Sequence, residues 1–268
     1  HFDDAEITLI GSSVAIEAIK GHPRVFKTYI LDKTFKDTFQ LIMDLGEFDT
    51  FFSFRSSLRS KLIKFCVSSK SKFQFDKKKY AKGHQVEKYN NFINDCVNSH
   101  SSPGKLILHN VSKIKSGKNK ILGINPGASY GDAKRWYSDE FANVASALSI
   151  KYDIVIFGGP SEKDIAGDIE KTLIEKGVTN YQNLAAHTSV SELMSHISNL
   201  DLFITGDSGP MHLAACFQIP TVSIFGPTKD NETSQWMSES SFIIKKNLDC
   251  QPCMKRRCPL KHHNCMKL

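Results

Sequence analysis

The sequence predicts an α/β fold in which two halves each form a mostly parallel sheet with helices on both faces. Short apolar segments typical of strands alternate with segments of helical periodicity along most of the 268 residues. The alternation breaks between residues 99 and 120, where Ser, Gly and Lys are frequent. We therefore predict two Rossmann-like domains, residues 1–112 and 113–268, with a cleft between them.

In the first domain, each predicted element follows from its local pattern. Apolar runs predict strands at 6–10, 25–31, 49–54 and 72–75. Apolar residues at helical spacing predict helices at 14–20, 35–45, 57–67 and 85–97. A further short strand is expected at 106–108, inside the connecting stretch.

The second domain repeats the alternation. Strands are predicted at 121–124, 154–157, 178–183, 202–205, 221–225 and 242–245. Helices are predicted at 136–148, 162–176 and 190–199, and from Met211 onward. Because the strands are expected to be parallel, the loops that follow them should meet at one edge of the sheet.

Four of these strands end in loops that contain Gly or Pro. The loops contain Pro126-Gly127, Gly158-Gly159, residues 206–209 and Gly226-Pro227. Small residues let a ligand approach the backbone, so the set favours a nucleotide site. No G-x-G-x-x-G follows the first strand of either half and no Walker A motif is present, which argues against a dinucleotide oxidoreductase and a P-loop NTPase.

Residues 202–216 predict a strand, a tight turn and a helix that Pro210 opens. Such a turn directs backbone N–H groups and the positive end of the helix dipole at one point, which suits a diphosphate. Asp207 and His212 flank this point with groups that hold hydroxyls or protons. The alternative is an ordinary strand–helix joint with a polar turn.

The composition indicates a chain that meets anionic partners. The net charge is +7 and the isoelectric point is near 8.9, which favours phosphorylated substrates, nucleic acid or an anionic membrane surface. Aromatic residues interleaved with Arg, as in RNA-binding modules, are missing, so we expect no nucleic-acid partner. No segment approaches the roughly 20 apolar residues of a membrane span, and no signal peptide is recognised, so a reduced, cytoplasmic setting is expected.

Several motifs carry a resemblance to a known family. They are N-P-G-A-S-Y-G-D-A-K-R-W at 125–136, D-S-G-P-M-H at 207–212, F-G-P-T at 225–228 and the Cys-rich segment 250–265. With these motifs the sequence resembles the bacterial lipopolysaccharide heptosyltransferases of glycosyltransferase family nine, specifically the ADP-heptose-dependent type II. The match is close in the second half and looser over residues 6–98.

The resemblance implies a GT-B fold with an active site between the two domains. It implies that L-glycero-D-manno-heptose is transferred from ADP-heptose to the first heptose of the lipopolysaccharide inner core, with inversion and without a metal or another cofactor. Residues 1–112 would bind the lipid A–Kdo–heptose acceptor and residues 113–268 the donor. A monomer in the cytoplasm of a Gram-negative bacterium is expected, with peripheral contact at the cytoplasmic face of the inner membrane.

Site residues are carried over only where the motifs match. Lys134 would neutralise the charge that grows on the ADP leaving group, and Asp207 would accept hydrogen bonds from heptose hydroxyls. The alternatives are a solvated surface lysine for Lys134 and a helix N-cap for Asp207. The donor-binding set implied by the resemblance is Ser129 with Tyr130, Lys134, Glu162 as the ribose carboxylate, Asp207, Ser208, Gly209, His212 and Thr228.

Two further assignments keep a structural alternative, those of His212 and His84. His212 is expected to face the diphosphate, and the alternative is a core histidine. Arg55 and His84 are implied as acceptor-binding residues, with a surface helix position as the alternative for His84.

One departure concerns the start of the fold. The family begins with a strand and a loop whose Asp is the catalytic base, and nothing of that kind precedes Glu6. We therefore expect the N-terminal strand and the base to be missing from this sequence. Asp3, Asp4 and Asp32 are not nominated as replacements.

Four of the seven cysteines lie in the segment 250–265, with the spacing C-x2-C-x4-C-x6-C. Cys250, Cys253, Cys258 and Cys265 are compatible with a structural zinc site. The alternatives are reduced thiols in a loop or disulfides. We assign no metal to them.

Two other functional hypotheses remain. One is a GT-B enzyme that uses another nucleotide sugar, including an epimerase, although no acid/base set for an epimerase can be assembled from the sequence. The other is a nucleotide- or glycan-binding module without turnover.

Overall fold

The computed structural model describes residues 4–31, 35–112, 117, 119–128 and 130–267, without the side chains of residues 35 and 36. The chain divides into two compact units, His1–Gly104 and Lys105–Leu268. Ser129 and two of the acidic residues discussed above, Asp3 and Asp32, lie outside the described residues.

Unit 1 contains four strands and four helices in strict alternation among the described residues. They are β1 (Ile7–Gly11), α1 (Ser13–Ile19), β2 (Val25–Ile30), α2 (Phe35–Asp44), β3 (Phe48–Ser53), α3 (Leu58–Cys66), β4 (Ser69–Gln74) and α4 (Gln85–Val97). The predicted alternation and the parallel pairing are confirmed. The described strands form two separate parallel pairs, β1–β2 and β3–β4, rather than one mostly parallel sheet as predicted.

Aromatic side chains hold α4 against the β3–β4 pair. Phe75 and Phe92 are 4% and 2% exposed, and their ring centroids lie 5.7 Å apart. Phe52 stacks on Phe73 across the two strands at 5.6 Å. Because Phe75 directly follows β4, this cluster also fixes the point from which the loop between β4 and α4 departs.

Unit 2 is built on one sheet of six parallel strands. Its regular elements are β5 (Lys120–Asn125), α5 (Ser138–Leu148), β6 (Tyr152–Ile156), α6 (Lys163–Glu175), β7 (Tyr181–Asn183), α7 (Val190–Ile197), β8 (Leu202–Gly206), α8 (Gly209–Cys216), β9 (Thr221–Phe225), α9 (Asp230–Thr233) and β10 (Ser241–Lys245). Short 3-10 turns lie at Asp132–Lys134 and Pro160–Glu162. The strand order is β10-β9-β8-β5-β6-β7.

The central strands of this sheet are buried on both faces. Leu122 and Ile124 belong to a core that includes residues of α5 and α6, whereas Phe157 and Phe203 belong to a second core with residues of α7 and α8. Strands covered on both faces must be apolar on both, which is why their sequences are continuous apolar runs. The two cores keep the sheet rigid under the loops at its carboxyl edge.

Several predicted elements differ from the structure. Strand β4 covers Ser69–Gln74 instead of 72–75, β7 covers only the end of the predicted range 178–183, and the short helix α9 is not among the predicted elements. Residues 106–108 form no strand, because an apolar run without a neighbouring strand has no ladder to join. Helix α5 begins at Ser138 instead of Trp136, and α8 begins at Gly209, so that Pro210 is its second residue. Among the described residues, no helix combines the length and apolar character needed to cross a bilayer.

Phe203 offers a direct test of the packing in unit 2. Its side chain is fully buried, so Phe203→Ala should lower the free energy of unfolding by about 3–5 kcal/mol. Phe242 of β10 is 69% exposed, and Phe242→Ala should change it by no more than about 0.5 kcal/mol. Denaturant titration measures both values, and similar losses for the two variants would contradict the described core.

Candidate functional site

The loops with Gly or Pro lie along the carboxyl edge of the unit 2 sheet. Strands β9, β8, β5 and β6 are consecutive neighbours, and all are parallel. The register partners nearest this edge are Asn125 with Thr205, Gly206 with Ile224, and Ile124 with Ile156. The expected convergence of the four loops is therefore confirmed.

A buried ion pair joins the loop after β5 to the loop after β8. The Nζ of Lys134 lies 2.6 Å from Oδ2 of Asp207 and 3.3 Å from the Asp207 backbone oxygen. Their side chains are only 12% and 7% exposed. Lys134 is therefore not a solvated surface lysine, and removing one partner would leave a charge buried without compensation.

The Asp207 carboxylate also binds two threonines. Thr228 Oγ1 donates to Oδ2 at 2.7 Å, and Thr233 Oγ1 donates to Oδ1 at 3.5 Å. One carboxylate thus connects the loops after β5, β8 and β9. The alternative that Asp207 caps a helix is wrong, because Ser208 occupies the N-cap position of α8 and the Asp207 oxygens serve the ion pair.

The N-terminus of α8 has no side-chain cap. The Ser208 hydroxyl instead accepts from Asn125 Nδ2 at 3.2 Å and lies 3.1 Å from Thr205 Oγ1. The first N–H groups of a helix have no partner within the helix, and an anion is a favourable partner for them. At α8 these groups come from Gly209 and the residues after it, except Pro210, which has no N–H.

Tyr130 adds an aromatic face between two cations. The Lys134 Nζ lies 4.7 Å from the centroid of its ring, and the Arg256 guanidinium carbon lies 5.5 Å from it. The Tyr130 hydroxyl donates to the Met254 backbone oxygen at 2.9 Å. The segment after β5 is therefore anchored to the Cys-rich segment, and it presents positive charge near α8.

The Cys-rich segment supports the turn that carries Lys134. Ala133 N donates to the Arg256 backbone oxygen at 3.1 Å, and His263 Nε2 lies 3.1 Å from the Ala133 oxygen. Gly131 has φ +152°, and a Cβ at this position would overlap the same Arg256 oxygen. Glycine is required there, both for the backbone conformation and for the close approach.

The four clustered cysteines are all in the reduced form. Together with His262 and His263 they line a cavity of about 20 Å³, roughly the space of one water molecule. Within the described residues, no three His, Cys, Asp or Glu side chains are grouped so that they could hold a metal ion. The pKa of Cys258 is lowered by the backbone N–H of His263, 3.4 Å from its sulfur, whereas burial and the neighbouring thiols raise the pKa of Cys265.

Glu162 lies in a network of its own. Its carboxylate accepts from Gly159 N at 2.9 Å, from Ser161 Oγ at 2.6 Å and from Arg135 Nη2 at 3.3 Å. Its side chain is 7% exposed. It packs so closely against Gly127 that a Cβ at that position would overlap it. Glu162 therefore shapes the loops after β5 and β6, and its role in binding ribose stays a prediction.

The other predicted site residues are placed as follows. Thr228 is buried beside Asp207, whereas His212 is the fourth residue of α8 and is half-buried. Arg55 and His84 belong to unit 1, whereas the cluster described above belongs to unit 2. Arg55 is exposed, but His84 is 8% exposed and caps α4, its Nδ1 accepting from Val86 N at 3.2 Å, so it is not a surface helix residue.

Sequence reasoning assigned no role to several residues that build this site. Asn125, Thr233, Arg135, Arg256 and His263 position the loops through the contacts described above. The position of Asn125 at the end of an apolar strand was a usable signal, since a buried amide needs partners. The other four act across long sequence separations that no local pattern reveals.

Solved structures of similar shape define the fold. The structure of ADP-heptose LPS heptosyltransferase II from Escherichia coli matches with a TM-score of 0.78 at 21% identity, covering 94% of this chain and 88% of that chain. E. coli heptosyltransferase WaaC with ADP matches with a TM-score of 0.67 at 13% identity, covering 88% and 92%. The chain therefore has the GT-B fold of glycosyltransferases, as expected.

Sequence comparison then identifies the family. Residues 44–264 match the family model Glycosyltransferase family 9 (heptosyltransferase). The chain is 43% identical to Lipooligosaccharide heptosyltransferase 2 of Campylobacter jejuni serotype O:2, over 100% of this chain and 86% of the relative. It is 31% identical to Lipopolysaccharide heptosyltransferase 2 of E. coli K12, over 48% of this chain and 37% of the relative. The chain belongs to glycosyltransferase family 9, the heptosyltransferases.

Gly131→Ala tests the support of the Lys134 turn. The substitution places a Cβ against the Arg256 carbonyl at a positive φ, so it should lower the free energy of unfolding by about 1–3 kcal/mol. The matched control is Gly167→Ala in α6, where nothing lies within 4 Å and the change should be neutral or stabilising by up to about 1 kcal/mol. Denaturant titration decides, and an unaffected Gly131→Ala protein would rule out the proposed close approach.

The opposed pKa shifts of the thiols predict different reactivities. Since the thiolate is the nucleophile, Cys258, with its lowered pKa, should be alkylated by iodoacetamide at pH 7.5 several-fold faster than Cys265. Cys265 is also buried and should react fully only after denaturation. Peptide mass spectrometry of samples quenched at timed intervals measures both rates. Equal rates in the folded protein would contradict the described environments.

Proposed function

We propose that this glycosyltransferase transfers L-glycero-D-manno-heptose from ADP-heptose to the first heptose of the lipopolysaccharide inner core, with inversion. The observation that carries the proposal is the buried Lys134 ammonium, held by Asp207 beside the uncapped N-terminus of α8. The relatives named above, a lipooligosaccharide and a lipopolysaccharide heptosyltransferase 2, support the acceptor. Two E. coli WaaC structures, with ADP and with ADP-2-deoxy-2-fluoro heptose, support the donor.

The chemistry needs stabilisation of a leaving diphosphate. When the bond between the sugar and ADP breaks, negative charge grows on the diphosphate oxygens. A fixed cation and backbone N–H groups aimed at that charge lower the barrier, because they need no reorganisation. Lys134 would supply the cation, and Gly209 and the Ser208 hydroxyl would supply hydrogen bonds at the start of α8. No metal or other cofactor is required for this step.

In this mechanism Asp207 positions the Lys134 ammonium group. An ammonium group has three donors, and two of those of Lys134 face Asp207 atoms, which leaves one for the diphosphate. Within the described residues, Oδ1 of Asp207 accepts only the long 3.5 Å contact from Thr233, so it retains capacity to accept from a heptose hydroxyl. Ser129, Tyr130, Glu162, His212 and Thr228 complete the proposed donor site.

The proposed acceptor is the lipid-anchored lipid A–Kdo–heptose glycan, bound by residues 1–112, while residues 113–268 bind the donor. The exposed guanidinium of Arg55 is suited to an anionic acceptor group. His84 caps the start of α4. The net charge of +7 favours contact with the anionic cytoplasmic face of the inner membrane. We propose a monomeric, cytoplasmic enzyme with this peripheral contact and without a nucleic-acid partner.

The proposal is tested by nucleotide binding and by turnover. Calorimetric titration of the chain with ADP, UDP and GDP should show binding of ADP and much weaker binding of the other two. Mass spectrometry of the acceptor after incubation with ADP-heptose should show the addition of one heptose. Preference for UDP would indicate a GT-B enzyme for another nucleotide sugar, and ADP binding without turnover would indicate a binding module.

The variant Lys134→Ala tests whether the Lys134 ammonium group acts in catalysis or only stabilises the structure. We expect a loss of about 10²–10³ in kcat, because one preorganised charge is removed from the leaving group. We also expect weaker ADP binding in calorimetry. The control is Lys171→Ala, which removes a 78% exposed lysine of α6 and should change neither quantity. A Lys134→Ala enzyme with normal turnover and ADP affinity would exclude Lys134 from the site.

A further inference from the structure

Helix α3 exposes two large apolar side chains on one face, which we call the α3 stripe. Its members, Leu58 and Phe65, are 83% and 82% exposed, whereas Ile63 of the same helix is 4% exposed. Positions seven residues apart differ by only about 20° around a helix, so Leu58 and Phe65 share a face. Exposed apolar side chains that lie together mark a docking surface more often than single ones do.

Contacts on the other sides of α3 fix its rotation. Arg59 Nε donates to Thr38 Oγ1 of α2 at 2.6 Å, and Ser60 Oγ donates to the Arg55 backbone oxygen at 3.0 Å. Ile63 is buried in unit 1. The helix therefore cannot turn the α3 stripe inward without breaking these contacts.

Lysines accompany the α3 stripe, and residues 58–66 contain no acidic side chain. Lys61 lies about one helical turn from both Leu58 and Phe65, and Lys64 lies in the last turn. Among the described residues of unit 1, neither of these lysines forms an ion pair with a carboxylate. Lys72 Nζ of β4 donates to the Phe65 backbone oxygen at 3.1 Å and adds a third positive charge at this end of the helix.

The α3 stripe begins beside a residue proposed to bind the acceptor. The Arg55 backbone oxygen accepts from Ser60 Oγ at 3.0 Å and from Gln74 Nε2 at 2.9 Å, so the loop after β3 is tied to the first turn of α3. Leu58 is the first residue of that turn. The sugars of a lipid-anchored acceptor start at the bilayer surface, so a bilayer in contact with α3 would present them near Arg55.

We infer that α3 docks unit 1 on an anionic lipid bilayer, with the α3 stripe inserted at the interface and its lysines at the lipid phosphates. Interfacial helices bury their apolar face about 5–10 Å into the boundary between headgroups and acyl chains, and nearby lysines add attraction to anionic lipids. A protein partner fits this face less well, since lysine is depleted in protein–protein interfaces. The inference rests on the proposed function, which includes membrane contact through net charge but names no surface for it.

Co-sedimentation with vesicles, in the absence of donor and acceptor, tests the surface directly. The full chain should bind phosphatidylcholine vesicles that contain phosphatidylglycerol. Leu58→Ser/Phe65→Ser should fold as the parent does, because both side chains are exposed, and should bind at least about tenfold more weakly. The control Ile150→Ser/Ile174→Ser removes two isoleucines of unit 2 that are 84% and 59% exposed, and it should bind as the parent does. Equal binding of the two variants would overturn the inference.

The lysines are tested in the same assay. Lys61→Gln/Lys64→Gln should weaken binding about tenfold, and the weakening should vanish on pure phosphatidylcholine, to which all variants should bind poorly. The control Lys171→Gln/Lys176→Gln removes the same charge from the end of α6. Equal weakening by both pairs would show attraction by net charge alone and would contradict docking through α3.

Insertion is distinguished from surface attraction by fluorescence. Tryptophan in Phe65→Trp should be quenched by brominated phosphatidylcholine mixed into the anionic vesicles, whereas tryptophan in the control Ile150→Trp should not. Absence of quenching at position 65 would rule out insertion. A parent chain that forms a dimer in sedimentation equilibrium, lost in Leu58→Ser/Phe65→Ser, would assign the α3 stripe to a second copy and overturn the lipid assignment.

A transfer assay separates this inference from the proposed function. Leu58→Ser/Phe65→Ser should raise the KM for acceptor glycolipid embedded in anionic vesicles about tenfold, while kcat/KM for the deacylated, soluble acceptor stays at the parent value. An unchanged KM for the embedded acceptor would overturn the inference alone. A parent enzyme without transfer to either acceptor would refute the proposed function, and co-sedimentation would still decide the docking surface.

Discussion

The candidate site depends on the buried ion pair between Lys134 and Asp207. A lysine that is 12% exposed needs a partner, and breaking a buried pair by removing one member typically costs about 3–5 kcal/mol. The same carboxylate holds Thr228, so the loops after β5, β8 and β9 share one acceptor. The interactions that stabilise these loops therefore also hold the Lys134 ammonium group where the proposed chemistry needs a cation.

Two sets of contacts position the residues on either side of this ion pair. The parallel register of β5 and β8 sets Asn125 opposite Thr205, and the Asn125 amide then binds Ser208 at the start of α8. From the other side, backbone atoms of the Cys-rich segment bind Ala133, and Gly131 lets that segment approach. The Cys-rich segment thus packs directly against the turn that carries Lys134.

Much of the architecture could be predicted from the sequence, because its determinants are local. The predicted bounds of α4 and β9 match the structure, since His84 and Glu87 cap α4 at its start, Asn98 ends it with φ +51°, and β9 is a buried run. Lys134 and Asp207 were both named as site residues, but their 2.6 Å contact joins positions 73 residues apart and has no local signature. For the same reason the sequence does not distinguish Asp207 from a helix cap and does not reveal the support from Arg256 and His263. It also does not predict that the described strands of unit 1 form two separate pairs.

The central claim is that Asp207 orders Lys134 for a diphosphate, and a double-mutant cycle on ADP binding tests it most directly. Calorimetry would compare the parent chain with Lys134→Met, Asp207→Asn and the double variant. We predict that each single change weakens ADP binding and that the double variant is little worse than Lys134→Met, which corresponds to a coupling free energy of at least about 1 kcal/mol. Additive losses, or full ADP affinity in Asp207→Asn, would contradict the account.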